Sequence, residues 1–357
     1  MEKIGILTIN DYRNLGNRLQ NYATQKFLEE QGFWAETIQN TPGYGKIKYK
    51  IKKYIKRTLK YILKRNCYYR EINFSEFNKK YIKMSKYKIE SNKIDKEINE
   101  YYDFFVVGSD QVWNPNFPTT TDEFFLTFAD KTKRISFSAS FGIDKIPVEL
   151  NELYTKRLNG LNEISVREEQ GKKIIKELTG RDDVTVLLDP TMLINKESWN
   201  EIVKKPKCLE KLNYYKYILI YFLGELSEER KKEIQRVAEK NNCEIINILD
   251  KNSPFYSCGP REFLYLEKNS FLVCTDSFHS SVFAILFNTP LVVFDREDSE
   301  MKMNSRLDTL LKKFSLEDKW FNNSITDEML KANYYQVDEV LKIEQEKARK
   351  FIKKALN

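Results

Sequence analysis

The stretch from Phe271 to Phe294, FLVCTDSFHSSVFAILFNTPLVVF, constrains the fold of this chain more than any other. Phe271-Leu272-Val273-Cys274 is short, apolar and partly β-branched, the pattern of a buried strand. Thr275-Asp276-Ser277 is a polar break made of helix-capping residues. Ser281 to Phe287 reads as a helix, and Asn288-Thr289-Pro290 stops it. Leu291 to Phe294 is a second apolar strand. Strand, polar turn, helix, strand is a βαβ unit, which requires a parallel sheet covered by helices. His279, the single histidine of the chain, falls beyond the carboxyl end of a strand and at the start of a helix whose dipole favours anions. A histidine that merely caps a helix would occupy the same place, so position alone assigns it no chemistry.

The same alternation recurs on both sides. Ile4 to Thr8 reads as a strand and Asn10 to Gly16 as a polar turn. Leu19, Tyr22, Ala23, Phe27 and Leu28 then recur at helical spacing up to Gly32. The loop NDYRNLGNRLQ lacks the GxGxxG glycines of a dinucleotide turn. Arg13, Asn14, Asn17, Arg18 and Gln20 instead offer side-chain donors suited to a phosphate, carboxylate or sugar. Asp103 to Val107 is a buried strand running into Gly108-Ser109-Asp110-Gln111, another polar site edge. Ile164-Ser165-Val166-Arg167 and Val184 to Leu188, which leads into Asp189-Pro190, follow the same form. Around Lys196 to Lys216 the chain is polar and lysine-rich, and Tyr217 to Leu223 opens a second series. The expected organisation is a Rossmann-like domain over 1–195 with a basic helical insertion near 45–95, and a second Rossmann-like domain over 215–325. A C-terminal helix over 335–357 is expected to pack back toward the first.

Composition narrows the class. A chain of 357 residues with 23 Phe and 21 Tyr has ample material for two cores and is not disordered. No apolar run approaches the roughly 20 residues of a membrane span. Met1 to Ile4 leads straight toward a strand, so a signal peptide is not expected. Five scattered cysteines without CxxC spacing argue against a disulfide framework or zinc site and for a reducing cytoplasm. Asp182-Asp183 and Glu297-Asp298 read as surface charge, so no metal is expected. The net charge of +8 is unevenly spread: the segment from Lys46 to Arg65 holds ten cationic residues and no acid. Its Ile47, Ile51, Tyr54, Ile55, Leu59 and Ile62 recur at helical spacing. The expectation is a basic amphipathic helix on the inner, anionic face of a membrane, against the alternative of a solvated lysine face packing on the protein. No nucleic-acid reader fold accompanies it, so nucleic acid is not an expected partner.

Five short motifs, taken in order, carry a resemblance. They are Asn14-Leu-Gly-Asn-Arg-Leu-Gln-Asn-Tyr-Ala23, Gly108-Ser-Asp-Gln-Val-Trp-Asn-Pro115, Ser165-Val-Arg-Glu168, Leu188-Asp-Pro190 and Thr275-Asp-Ser-Phe-His279. Together they resemble the polysaccharide pyruvyl transferase family across nearly the whole chain. The resemblance implies a GT-B-like α/β fold, two Rossmann-like domains facing an interdomain cleft. It also implies transfer of a pyruvyl group from phosphoenolpyruvate to a sugar, with a cyclic ketal as product. The acceptor would be a surface polysaccharide or its lipid-linked precursor. Arg167 matches an arginine implicated in donor binding, and His279 matches the histidine of the family's Arg-Leu-His motif. Here that motif reads Ser277-Phe278-His279, so its arginine is missing; Arg306 is our candidate to replace the charge.

The chemistry sets two demands: the enol methylene must gain a proton and phosphate must leave. His279 suits either task, and Arg167 and Arg306 would hold anionic groups at one site with it and Ser277. Asp276 and Asp110 are the candidates to take a proton from the sugar hydroxyl. Asn14, Asn17, Arg18, Gln20, Ser109 and Gln111 are the candidate acceptor contacts. No cofactor is required beyond phosphoenolpyruvate as donor substrate. A nucleotide-sugar glycosyltransferase on the same fold is the competing class, and a glycan-binding protein without catalysis is a third.

Overall fold

A computed structural model describes residues 1–11, 13–41, 65–90, 94–95, 97–117, 121–210, 216–296 and 305–356. The expected membrane helix therefore lies outside the described residues except for Arg65, and Glu297-Asp298 lies outside them too. The chain divides into two compact units: Met1–Tyr44, Asn78–Ile194 and Leu341–Asn357 form the first, Gly45–Phe77 and Asn195–Val340 the second.

The first unit is built on seven parallel strands: β1 (Lys3–Leu7), β2 (Trp34–Thr41), β3 (Met84–Glu90), β4 (Phe104–Val107), β5 (Arg134–Ala139), β6 (Glu163–Val166) and β7 (Thr185–Val186). Their order is β3-β2-β1-β4-β5-β6-β7, and every pairing is parallel. The winding reverses between β1 and β4, which makes the carboxyl ends of those strands the topological switch point. Buried residues on the strands and their helices, among them Leu7, Phe105, Trp113 and Phe141, form the core. Trp113 is fully buried, stacks 5.5 Å from Phe125 and donates its indole N–H to the Phe124 carbonyl at 2.8 Å. Gly108 leaves β4 at φ +133°, and a Cβ there would stand 2.2 Å from the Phe137 carbonyl oxygen; only glycine fits this exit.

The second unit has four parallel strands: β8 (Tyr217–Tyr221), β9 (Glu244–Asn247), β10 (Leu272–Thr275) and β11 (Leu291–Val293). Their order is β11-β10-β8-β9, so its switch point lies between β8 and β10. The expected strand-helix-strand of 271–294 is present as β10, a helix over Phe278–Leu286, and β11.

Two segments cross the simple division of the chain at the polar linker. Of the stretch expected near 45–95 as a basic helical insertion, only 65–90 and 94–95 are described. Its end, β3, is an edge strand of the first sheet, and the helix Arg65–Tyr81 belongs to the second unit as far as Phe77. Asn66, Arg70 and Asn73, on one face of that helix, donate to the carbonyls of Ser253 (2.9 Å), Cys258 (3.0 Å) and Ser257 (2.8 Å). Polar side chains capping carbonyls leave no hydrophobic period, so the attachment is invisible to hydropathy. The C-terminal helix Val337–Ala355, from Leu341 onward, belongs to the first unit. Phe351 stacks on Phe137 at 6.5 Å, Lys354 pairs with Glu163 at 2.9 Å, and Gln345 donates to the Met192 carbonyl at 3.2 Å. No helix among the described residues is long and apolar enough to cross a membrane.

Candidate functional site

At the switch point of the first sheet, segments remote in sequence close on one polar cluster. The helix Leu15–Glu30 starts just beyond β1 because Asn14 caps it, its Oδ1 accepting the Asn17 N–H at 3.0 Å. One turn of this helix then serves the loops around it. Asn17 Nδ2 donates to Asp110 Oδ2 at 3.2 Å. Gln20 donates to Thr8 Oγ1 at 2.8 Å and accepts the Ser109 N–H at 3.2 Å. Ser109 Oγ donates to Asp189 Oδ2 at 2.8 Å. Arg167 Nη1 meets that same oxygen at 2.6 Å, while its Nη2 lies 3.8 Å from Asp110 Oδ1. Asp189 Oδ1 accepts the amide and hydroxyl of Thr191 at 3.0 and 2.6 Å. Four motifs read separately along the chain are thus one hydrogen-bonded network.

Burial sorts the members of this network. Arg18 is fully buried and donates to the Ile9 carbonyl at 2.8 Å and to Asn17 Oδ1 at 2.6 Å, so it fastens the β1 loop rather than facing a ligand. Asn14 is committed as a cap, and Gln20 and Ser109 are fully buried in the network. Gln111 accepts from Asn114 at 2.6 Å. The Arg167 side chain is 1 % exposed. Burial pulls its pKa down, but Asp189, Asp110 and Glu168 outweigh that and raise it. Its charge is therefore fixed and matched by acids. Of the two acids it touches, Asp189 is 0 % exposed and Asp110 15 %. Asp110 adopts φ 69° and also accepts the Gln111 N–H at 2.9 Å. A carboxylate oriented by an amide, a backbone N–H and an arginine, with access to solvent, is equipped to receive a hydroxyl.

In the second unit the turn after β10 holds Asp276. Its carboxylate accepts the N–H of Leu223 at 2.7 Å and of Gly224 at 2.8 Å, and Arg296 Nε stands 3.2 Å away. The side chain is 2 % exposed. It ties the exits of β8, β10 and β11 together, with both carboxylate oxygens engaged by these contacts. Ser277 starts the helix Phe278–Leu286 without a side-chain cap, and its carbonyl accepts the Ser281 N–H at 3.1 Å. His279 sits in the first turn, 7 % exposed, edge-on to Phe278 with ring centroids 5.4 Å apart. Arg306, near the start of the helix Ser305–Lys313, brings its guanidinium over the same Phe278 ring, 5.9 Å from the centroid. Arg306 and His279 thus both stand against the Phe278 ring. Arg167 belongs to the first unit.

Sequence reasoning missed Arg296 and Asp189. Arg296 follows the second strand of the βαβ pattern, a position that carries its own signal as a strand exit. Asp189 stands in a sequence motif that assigns it no role; a lone acid gives no sign of the arginine it will meet. Among the described residues no group of three His, Cys, Asp or Glu side chains is arranged to hold a metal ion.

The chain was compared with known proteins. A sequence model of the polysaccharide pyruvyl transferase family matches residues 14–299, most of the chain and both units. No curated protein matches it significantly. Among solved structures, a provisionally assigned UDP-N-acetylglucosamine 2-epimerase from Listeria monocytogenes is similar with a TM-score of 0.52 at 15 % identity, over 98 % of this chain and 91 % of that one. The UDP-N-acetylglucosamine 2-epimerase of Rickettsia bellii gives 0.47 at 11 % identity, over 100 % and 97 %. MurG of Acinetobacter baumannii gives 0.37 at 10 %, over 98 % and 95 %. At 15 % identity the likeness to the Listeria structure concerns the fold alone, which is GT-B-like. With the family match covering the motifs that build both switch points, the chain belongs to the polysaccharide pyruvyl transferase family and is a transferase.

Proposed function

We propose that this transferase moves a pyruvyl group from phosphoenolpyruvate to a sugar of a surface polysaccharide or its lipid-linked precursor, forming a cyclic ketal. Two sugar hydroxyls add to the carbon bearing the phosphate; of their two protons one is balanced by the proton that turns the methylene into a methyl, and the other leaves with the phosphate as the C–O bond breaks. Asp110 takes a hydroxyl proton, and Arg167 acts through it as a positioning residue. His279 gives the methylene its proton or neutralises the departing phosphate. Arg306 supplies the cation that Ser277 does not.

The observation that carries this reading is Arg306 over Phe278, in the turn that holds His279. A cation against the motif that lacks the family arginine supports the reading. Cytoplasmic action at the inner membrane face, with the segment from Lys46 to Arg65 as a lipid contact, belongs to the same proposal, since phosphoenolpyruvate is a cytoplasmic metabolite. The second reading, a nucleotide-sugar glycosyltransferase, is favoured by Ser277 itself, which removes the family arginine. Thermal stabilisation separates the two, because a ligand of the native state raises the melting temperature by mass action. Stabilisation by phosphoenolpyruvate and not by UDP or UDP-sugars supports pyruvyl transfer; the reverse pattern removes it.

A further inference from the structure

At the amino-terminal end of β2 and β3, away from the switch point, the first unit carries an open groove of about 600 Å³. Tyr22, Lys26, Lys79, Lys80, Tyr81 and Lys83 line it, and Glu29 is the single acid among the lining residues. Glu29 pairs with Lys83 at 2.8 Å, so the other three lysines keep their charge for a ligand. Lys79, Lys80 and Lys83 are exposed. Tyr81 presents its ring to Tyr22 edge-on at 6.0 Å, with the Lys80 ammonium 5.2 Å from the Tyr81 centroid. Two large apolar side chains stand out beside this groove. Trp34, the first residue of β2, is 42 % exposed, and Met84, the first residue of β3, is 36 % exposed.

We propose that this groove docks the first unit on an anionic bilayer surface. Lysines place ammonium groups against lipid phosphates while their stems lie along apolar surface. Tryptophan and tyrosine favour the headgroup level, where one end of the ring is apolar and the other wet. Met84 adds an apolar chain that a bilayer accommodates and a nucleic acid does not use. The Lys83 ammonium stands 4.7 Å from the Trp34 centroid, occupying a face on which a base would stack. The surface is independent of the donor reading above, since no groove residue belongs to either polar cluster.

The test uses the full chain with vesicles of phosphatidylcholine, with and without phosphatidylglycerol. Brominated lipid is expected to quench Trp34 in the anionic vesicles only, and Trp34→Phe to remove that signal. Lys79→Gln/Lys80→Gln/Lys83→Gln is expected to lower partitioning at least about tenfold, and added salt to do likewise. Lys26→Gln/Lys79→Gln spares the Lys83–Glu29 pair and gives the same direction should the triple variant fold poorly. Wild-type partitioning by both variants would assign vesicle binding to other basic segments and overturn the proposal. So would equal binding to neutral vesicles, or tight capture of polyuridylate through the same lysines.

Discussion

His279 and Asp110 occupy equivalent places in their sheets, each beyond a buried strand beside a switch point, but their surroundings equip them for different tasks. His279→Gln is expected to leave phosphoenolpyruvate affinity near wild type while lowering turnover roughly 10²–10⁴-fold, the worth of a general acid. Weakened affinity with turnover preserved would make it a phosphate grip instead; calorimetry and phosphate-release kinetics read the two quantities separately. Asp110→Asn keeps the shape and the Asn17 contact and should lower turnover by a similar factor. Arg167→Ala should behave as a stability variant. It leaves Asp189 buried without its guanidinium, at a cost of about 3–5 kcal/mol, measurable by denaturant titration. Glu267 adds a pH dependence. Burial pushes its carboxyl well above the ordinary range, against the hydrogen bond from Ser280. The folded state therefore binds the proton more tightly than the unfolded one. Stability from this group is complete below the ordinary carboxylate pKa and declines as pH rises toward the raised value, by about 1.4 kcal/mol per pH unit in that window. Glu267→Gln should flatten the decline and melt higher than wild type at neutral pH.

Elements are joined in this protein by polar fasteners as well as by apolar faces. The helix Arg65–Tyr81 has few buried residues, Arg70, Phe74 and Phe77, and its hold on the second unit rests on donors aimed at the 253–258 turn. Arg70 Nη1 serves two carbonyls there, Tyr256 at 3.2 Å and Cys258 at 3.0 Å. Arg70→Met keeps the stem and deletes those bonds. It should destabilise by about 1–3 kcal/mol and raise hydrogen exchange over 65–77 and 253–258 before the rest of the unit opens. Asp276 is a fastener of the same kind between the β8, β10 and β11 exits. Both cases show why a charged residue near a sheet edge is not by that fact a catalytic one.

At the scale of the whole molecule, the chain leaves the first unit at Asn195 and returns to it at Leu341. The returning helix covers Phe137 with Phe351 and buries Ile352 completely. Removing residues 341–357 should expose that apolar surface and lower the melting temperature of the protein, with increased binding of a hydrophobic dye as the readout. A truncated chain that melts like wild type would mean the helix is a passenger.

Most strands were legible because each is a local event. Four to eight apolar residues between polar turns fix a buried strand whatever lies elsewhere, and the helices between them carry their own period. Strand β3 escaped because its residues alternate polar and apolar inside a lysine-rich stretch, as an edge strand with one wet face does. The family motifs were legible for the same local reason. The work each motif residue does was decided only by the fold. Arg167 and Arg306 look alike as letters; one is locked between Asp189 and Asp110, and the other lies over Phe278 beside His279. Asp276 and Asp110 both follow buried strands, but two backbone N–H groups from the β8 exit occupy the first, and the second keeps a face to solvent. Availability of a charged group depends on what has been folded against it from distant parts of the chain, and that information is not local to any stretch of sequence.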